Sequence, residues 1–205
     1  MRPVGARAAV LALALGLGLP ACHYVKDTPV PGEGEGAWAE ARDRATRTAK
    51  LYDVLDDVAF ATATYQSPAV RAARVERIAE WKGSLPAERQ ADLDRERAEA
   101  AQGEEFLLAL FTDDRRANDL MSEKSTWRVA LIVKGDEQAL PARISLVRRD
   151  PTLQRLYPYL TEFDTIYRVR FPRFPGEKPL AELPFRLVLS GALGRLELDF
   201  GPGPR

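Results

Sequence analysis

Glu105-Phe106-Leu107-Leu108-Ala109-Leu110-Phe111 is a run in which every residue after the glutamate is apolar. A strand with one wet face alternates apolar and polar residues, whereas a strand buried on both faces does not. The run therefore reads as a central strand, with one face against a second sheet and the other against helices. That reading decides the architecture, because it requires apolar partners on both sides.

Downstream of this run the chain keeps a period of two. Trp127, Val129, Leu131 and Val133 fall on one face of Trp127–Val133, and Leu140, Ala142, Ile144 and Leu146 on one face of Leu140–Leu146. Phe163–Phe171 sets Phe163, Thr165, Tyr167, Val169 and Phe171 against Asp164, Arg168 and Arg170. Phe185–Leu189 and Leu196–Phe200 are two further strands, joined through Ser190-Gly191-Ala192-Leu193-Gly194 as a hairpin. Gly135-Asp136, Pro151, Pro158 and the stretch from Pro172 to Gly176 supply turns.

Upstream the period becomes helical. Ala37–Gln66 reads as one helix, with Tyr52, Leu55, Val58 and Ala59 continuing a stripe begun by Trp38, Ala41, Ala45 and Ala49. Ser67-Pro68 caps the next, since serine accepts from an orphan amide and proline suits the first helical position. It runs to about Trp81, with Val70, Val75 and Ile78 inward, and ends at Lys82-Gly83. Ser84-Leu85-Pro86 opens a third helix, to about Gln102, whose single large apolar residue is Leu93; such a helix is mostly solvated. The expected fold class is α+β: N-terminal helices packed on a C-terminal antiparallel β-sandwich, immunoglobulin-like, of six to seven strands. The expected boundaries are a helical region over 37–103 and the sandwich over 104–201.

At the other end of the chain, Arg2 and Arg7 precede the apolar run Ala8–Leu19, which is shorter than the roughly 20 residues a membrane-spanning helix needs. The run closes on Leu19-Pro20-Ala21-Cys22. This arrangement resembles the signal peptide and lipobox of bacterial lipoprotein precursors, Pro20 being its one departure from the usual pattern. The resemblance implies cleavage between Ala21 and Cys22 and a diacylglyceryl thioether, often with N-acylation, on Cys22. The alternative is a plain signal peptide and a free thiol, which is a liability in an oxidising compartment. Two or more acyl chains anchor stably where one does not. Residues 1–21 are thus the expected leader and 22–36 a disordered tether rich in proline and glycine, spanning roughly 20 Å as a coil. His23 after the cysteine, where aspartate would retain an enterobacterial lipoprotein in the inner membrane, favours the outer membrane. Gly32-Glu33-Gly34-Glu35-Gly36 is not a phosphate loop, because two glutamates repel phosphate.

Removing a 21-residue leader from 205 residues leaves 184, enough for one domain, and takes Arg2 and Arg7 with it, leaving 28 basic against 30 acidic side chains. Near-neutral charge lacks the basic footprint of a nucleic-acid binder, so no nucleic-acid partner is expected. His23 is the only histidine and Cys22 the only cysteine. The folded part therefore lacks the side chains for Ser-His-Asp or Cys-His catalysis, for the usual zinc sites and for thiol redox chemistry. No catalytic residue, metal ligand or cofactor is assigned.

Several clusters have a functional and a plainer reading. Asp113, Asp114, Asn118 and Asp119 form a candidate loop site for calcium, a sugar or a peptide; the plainer and favoured reading is a loop with local ion pairs and Asx turns. Their spacing does not match a calcium loop. Asp92, Asp94 and Glu96 interleave with arginines as a solvated helix face does. Tyr157, Tyr159 and Leu160, with Leu153 and Leu156, form a candidate partner surface; the favoured alternative is a short helical turn plugging one end of the sandwich. Arg71, Arg74 and Arg77, and Arg168, Arg170 and Arg173, would suit anionic headgroups, but fit better as solvated faces paired with residues such as Glu76 and Glu80. The expected function is a lipid-anchored envelope lipoprotein, non-catalytic, held to the membrane by acyl chains on Cys22 and contacting an envelope protein or the cell wall. The alternatives are a hydrolase of envelope glycan using two carboxylates, or a carrier of a small apolar ligand.

Overall fold

The computed structural model describes residues 36–53, 56–133, 137–173 and 179–201. The leader, the Cys22 lipobox, the tether up to residue 35, Leu55, Gly135-Asp136 and residues 174–178 lie outside the described residues.

The chain is mixed α/β, with four α-helices and two antiparallel sheets among the described residues. Helix α1 spans Gly36–Arg44, and strands β1 (Thr46–Asp53) and β2 (Asp56–Tyr65) follow as a hairpin. Helices α2 (Pro68–Lys82) and α3 (Pro86–Ala100) come next, then β3 (Gly103–Thr112). Strands β4 (Trp127–Val133), β5 (Glu137–Ala139) and β6 (Arg143–Leu146) lead to helix α4 (Pro151–Leu156), and β7 (Thr165–Pro172), β8 (Phe185–Gly191) and β9 (Gly194–Asp199) complete the chain. One sheet has the order β1-β2-β3-β7-β6 and the other β5-β4-β8-β9.

Strand β3 is the middle strand of the five, buried along most of its length, as its unbroken apolar run requires. Phe106, Leu108 and Leu110 face the second sheet and join Leu131, Leu187 and Leu198 in the core between the sheets. Phe106 meets Phe171 edge-on at 5.8 Å, and Phe185 stacks on Phe200 at 4.9 Å. Each such side chain, fully buried, contributes about 1.5–3 kcal/mol. Leu107 and Ala109 point the other way, into a second apolar cluster with Trp38, Val70, Leu156, Tyr157, Leu160 and Ile166. Helices α1, α2 and α4 thus cover part of the outer face of the five-stranded sheet.

The two sheets meet along β1 and β9. Arg47 Nε donates to the carbonyl of Asp199 at 2.8 Å, and its guanidinium lies 5.6 Å from the Phe200 ring centre. At the same seam Gly194 has φ +138°, and a Cβ there would come within 2.8 Å of the Leu51 side chain, so the position favours glycine twice over.

Helix α2 starts and stops where its caps direct. Ser67 Oγ accepts from Val70 N at 3.3 Å, Pro68 opens the first turn, and Gly83 ends the helix at φ +61°. Helix α3 has no buried residue, in keeping with its polar composition.

The stretch expected as one helix over Ala37–Gln66 is a short helix and a hairpin. Alanine at 45, 49 and 59 fits a period of 3.6 or of two, so the apolar stripe does not discriminate between helix and strand. The threonines do: Thr46 and Thr48 alternate with the core-facing Ala49 and Leu51, and Thr62 and Thr64 with Ala61, Ala63 and Tyr65. β-branched residues favour strands. Two strands of the expected helical region 37–103 therefore belong to the same sheet as β3. Among the described residues the strands number nine rather than six or seven. Leu140–Leu146 is not one strand: β5 ends at Ala139, β6 begins at Arg143 in the other sheet, and Leu140 and Leu146 are exposed. Pro141 lies in that break and lacks the amide a ladder needs. Phe163 is also exposed, and its strand begins at Thr165. No helix among the described residues is long and apolar enough to cross a membrane.

Candidate functional site

Two features of the outer face of the five-stranded sheet stand out, and they differ in kind. One is a clasp of buried charge where α2 and α3 meet β3 and β7. Arg71, on α2, is almost wholly buried, and so is Glu105 at the start of β3. Glu105 receives Arg170 Nε at 2.6 Å, Arg71 Nη2 at 3.3 Å and Arg168 Nε at 3.4 Å. Glu96, on α3, receives Arg71 Nη1 at 2.8 Å and Arg74 Nη2 at 2.7 Å. Arg71 Nε also donates to the carbonyl of Gln66 at 3.0 Å, and Arg74 Nη1 and the Tyr157 hydroxyl both donate to Gln66 Oε1. Burial opposes ionisation of Glu96, but Arg74 and Arg71 outweigh it and hold its carboxyl below the usual range. The hydrogen bond and charge of Glu105 raise Arg170. Beside the clasp, burial and then Glu104, which accepts from the Tyr65 hydroxyl at 2.6 Å, push that tyrosine up.

A cleft of about 150 Å³ opens against the clasp, lined by Arg71, Glu99, Glu104, Glu105, Arg143 and Arg170 among others. Among the described residues no buried side-chain nitrogen or oxygen lacks a partner. The clasp ties a solvated helix to a buried strand through matched charge, and its removal in halves strands the other half.

The second feature is the part of the same face that no described helix covers. Lys50, Phe60 and Phe111 lie directly opposite one another across β1, β2 and β3. Phe60 stacks on Phe111 at 5.5 Å, and Tyr52 meets Phe60 edge-on at 5.7 Å, beside a register shift that leaves Val58 of β2 as the extra residue between the pairs Leu51–Ala59 and Tyr52–Asp57. The Lys50 ammonium sits 5.3 Å from the centre of the Phe60 ring. Tyr52 is 53% exposed, while Phe60 and Phe111 are half-buried.

The candidate partner surface is not a surface. Tyr157 is 1% exposed and Leu160 is buried, both in the cluster beneath α1 and α4. Trp38 meets Tyr157 edge-on at 5.5 Å, and Tyr159 shares a hydrogen bond of 2.7 Å with Thr64. Burial pushes the Tyr159 hydroxyl up. The group also does not plug an end of the two-sheet core, since it packs on the outer face. In the candidate loop site, Asp113 and Asp114 are exposed, and Asp114 Oδ1 accepts from Arg116 N at 2.9 Å. Asn118 Nδ2 donates to the Leu110 carbonyl at 2.7 Å, and Asp119 accepts from Ser125 Oγ and Thr126 N. Among the described residues no three acidic, histidine or cysteine side chains converge as a metal site would need.

The clasp escaped sequence reading because its partners are far apart in the chain. The available signal was Arg71 and Arg74 lying near the Val70 and Val75 side of their helix, and Glu105 heading an apolar strand. Arg77 does pair locally, with Glu80 at 2.9 Å.

No protein-family model matches the chain, and no curated protein matches it. A solved structure similar to it is that of a novel protein of unknown function from Burkholderia pseudomallei K96243, 12% identical over 78% of this chain and 79% of that one, with a TM-score of 0.41.

Proposed function

We propose that the protein is a lipid-anchored lipoprotein of the bacterial envelope, tethered through Cys22 and facing the periplasm from the outer membrane, whose folded part is a non-catalytic interaction module. The observation that carries the interaction reading is the aromatic strip of Tyr52, Phe60 and Phe111, which no described helix covers, on a sheet face whose other half is packed under α1, α2 and α4. Contiguous exposed apolar surface with a polar rim marks docking sites. We also read the paired sheets, which share one core, as a sandwich of immunoglobulin type.

The rival enzyme reading wants a carboxylate whose proton is held above the usual range. Among the described residues the displaced carboxylates run the other way. Glu96 is held down by arginines, and Glu197 by the hydrogen bond from Arg195 and then by Arg186.

The anchoring part of the proposal is tested by Cys22→Ala. Metabolic acyl labelling and membrane retention should both disappear in this variant. A variant that stays labelled and membrane-bound would overturn the anchor.

A further inference from the structure

The charges around the uncovered strip narrow what it receives. Asp53, Asp56 and Asp57 at the β1–β2 end, and Asp113 and Asp114 just past β3, are all exposed. The two groups are brought together by the fold: Asp113 N donates to the carbonyl of Val58, the outer-face residue next to Phe60 on β2. Asp57, directly opposite Tyr52, and Asp113, two residues past Phe111, thus fall on the face of the strip, with Asp53, Asp56 and Asp114 exposed at its end, against the cations Lys50, Arg115 and Arg116. The strip also shows what its rings accept, since the Lys50 ammonium already lies over Phe60. An aromatic face attracts cations through its quadrupole, and carboxylates at its rim add steering and register.

We propose that this half of the sheet face docks a basic, partly apolar segment of another envelope protein, with arginine or lysine side chains over Phe60 and Tyr52 and against the aspartates. The inference rests on the interaction-module reading and adds the chemistry of the partner. An anionic membrane surface is disfavoured at the same place, because the aspartates would face like charge.

The test uses the full lipidated chain in neutral detergent and short fluorescent peptides alternating arginine with leucine, glutamate with leucine, and arginine with serine. The arginine–leucine peptide should bind about tenfold or more tighter than the other two, with affinity falling as salt rises. Phe60→Thr and the triple variant D53N/D56N/D57N should each lose about tenfold of that affinity. Two variants are used so that a folding defect in one, seen by circular dichroism, leaves the other to decide. The proposal is overturned if the glutamate–leucine peptide binds as well, or if both folded variants bind like the parent. A cross-link in cells from this strip to glycan, to a second copy of the chain or to an acidic segment would also overturn it, while leaving the interaction-module reading in place. An absence of any cross-linked partner would count against both.

Discussion

The outer face of the five-stranded sheet has two halves. Under α1, α2 and α4, Leu107, Ala109 and Ile166 are buried, with the Arg71–Glu105 clasp closing the margin. Across the same face, on β1, β2 and the far end of β3, Phe60, Phe111 and Tyr52 stand without a described helix over them. On the covered half the sheet presents aliphatic Leu107, Ala109 and Ile166 to Trp38, Val70, Leu156 and Tyr157, and converts burial into stability. The uncovered half uses aromatic rings, which give up less when left wet because they stack on one another and carry a usable quadrupole. The same sheet thus serves as core on one side of its width and, in the proposed function, as contact surface on the other.

The comparison can be broken most forcefully at Trp38. This residue is buried, meets Tyr157 edge-on and donates to the carbonyl of Leu156. Trp38→Ala should cost about 3–5 kcal/mol in chemical denaturation. A loss below about 1 kcal/mol would show that α1 does not roof the sheet. Next in size is the clasp. Arg71→Ala leaves Glu96 and Glu105 short of a guanidinium in a buried setting and should cost about 3 kcal/mol. A near-neutral result would mean that α2 and α3 are held by something other than this charge.

A smaller effect is expected from acid. Because arginines depress the folded value of Glu96, its contribution is complete above its ordinary value of 4.5 and is lost as pH falls through the lower folded value. Stability measured from pH 7 downward should therefore decline below that value, and Glu96→Gln should flatten the decline. An unchanged acid limb in the variant would assign the pH dependence to other groups. The smallest effect belongs to the uncovered half: Phe60→Thr should change stability by about 1 kcal/mol or less, since a half-exposed strand position tolerates threonine. A loss as large as that at Trp38 would make Phe60 a core residue and remove the contrast.

The covered half was partly legible in the sequence. The unbroken apolar run of β3 demanded partners on both faces, and Ser67-Pro68 and Gly83 bounded α2. The uncovered half was not, because β1 and β2 hid behind alanines that satisfy a helical period as well as a strand period. With that stretch read as one helix, nothing in the sequence makes Phe60 and Phe111 neighbours, and the aromatic cluster open to a surface reading is the one at Tyr157 and Tyr159, although a helical turn is the favoured reading there. The clasp was invisible for another reason: arginines and glutamates on a helix pair locally in any sequence, and only the fold shows that Arg71 reaches Glu105 on β3.

The most direct measurement is photo-cross-linking in intact cells from an aromatic cross-linking residue placed at Tyr52, with the same residue at the more exposed Leu85, at the start of α3, as control. A discrete adduct to another envelope protein from position 52, absent from position 85, is the result this account predicts. No adduct from position 52, or the same products from both positions, would contradict it.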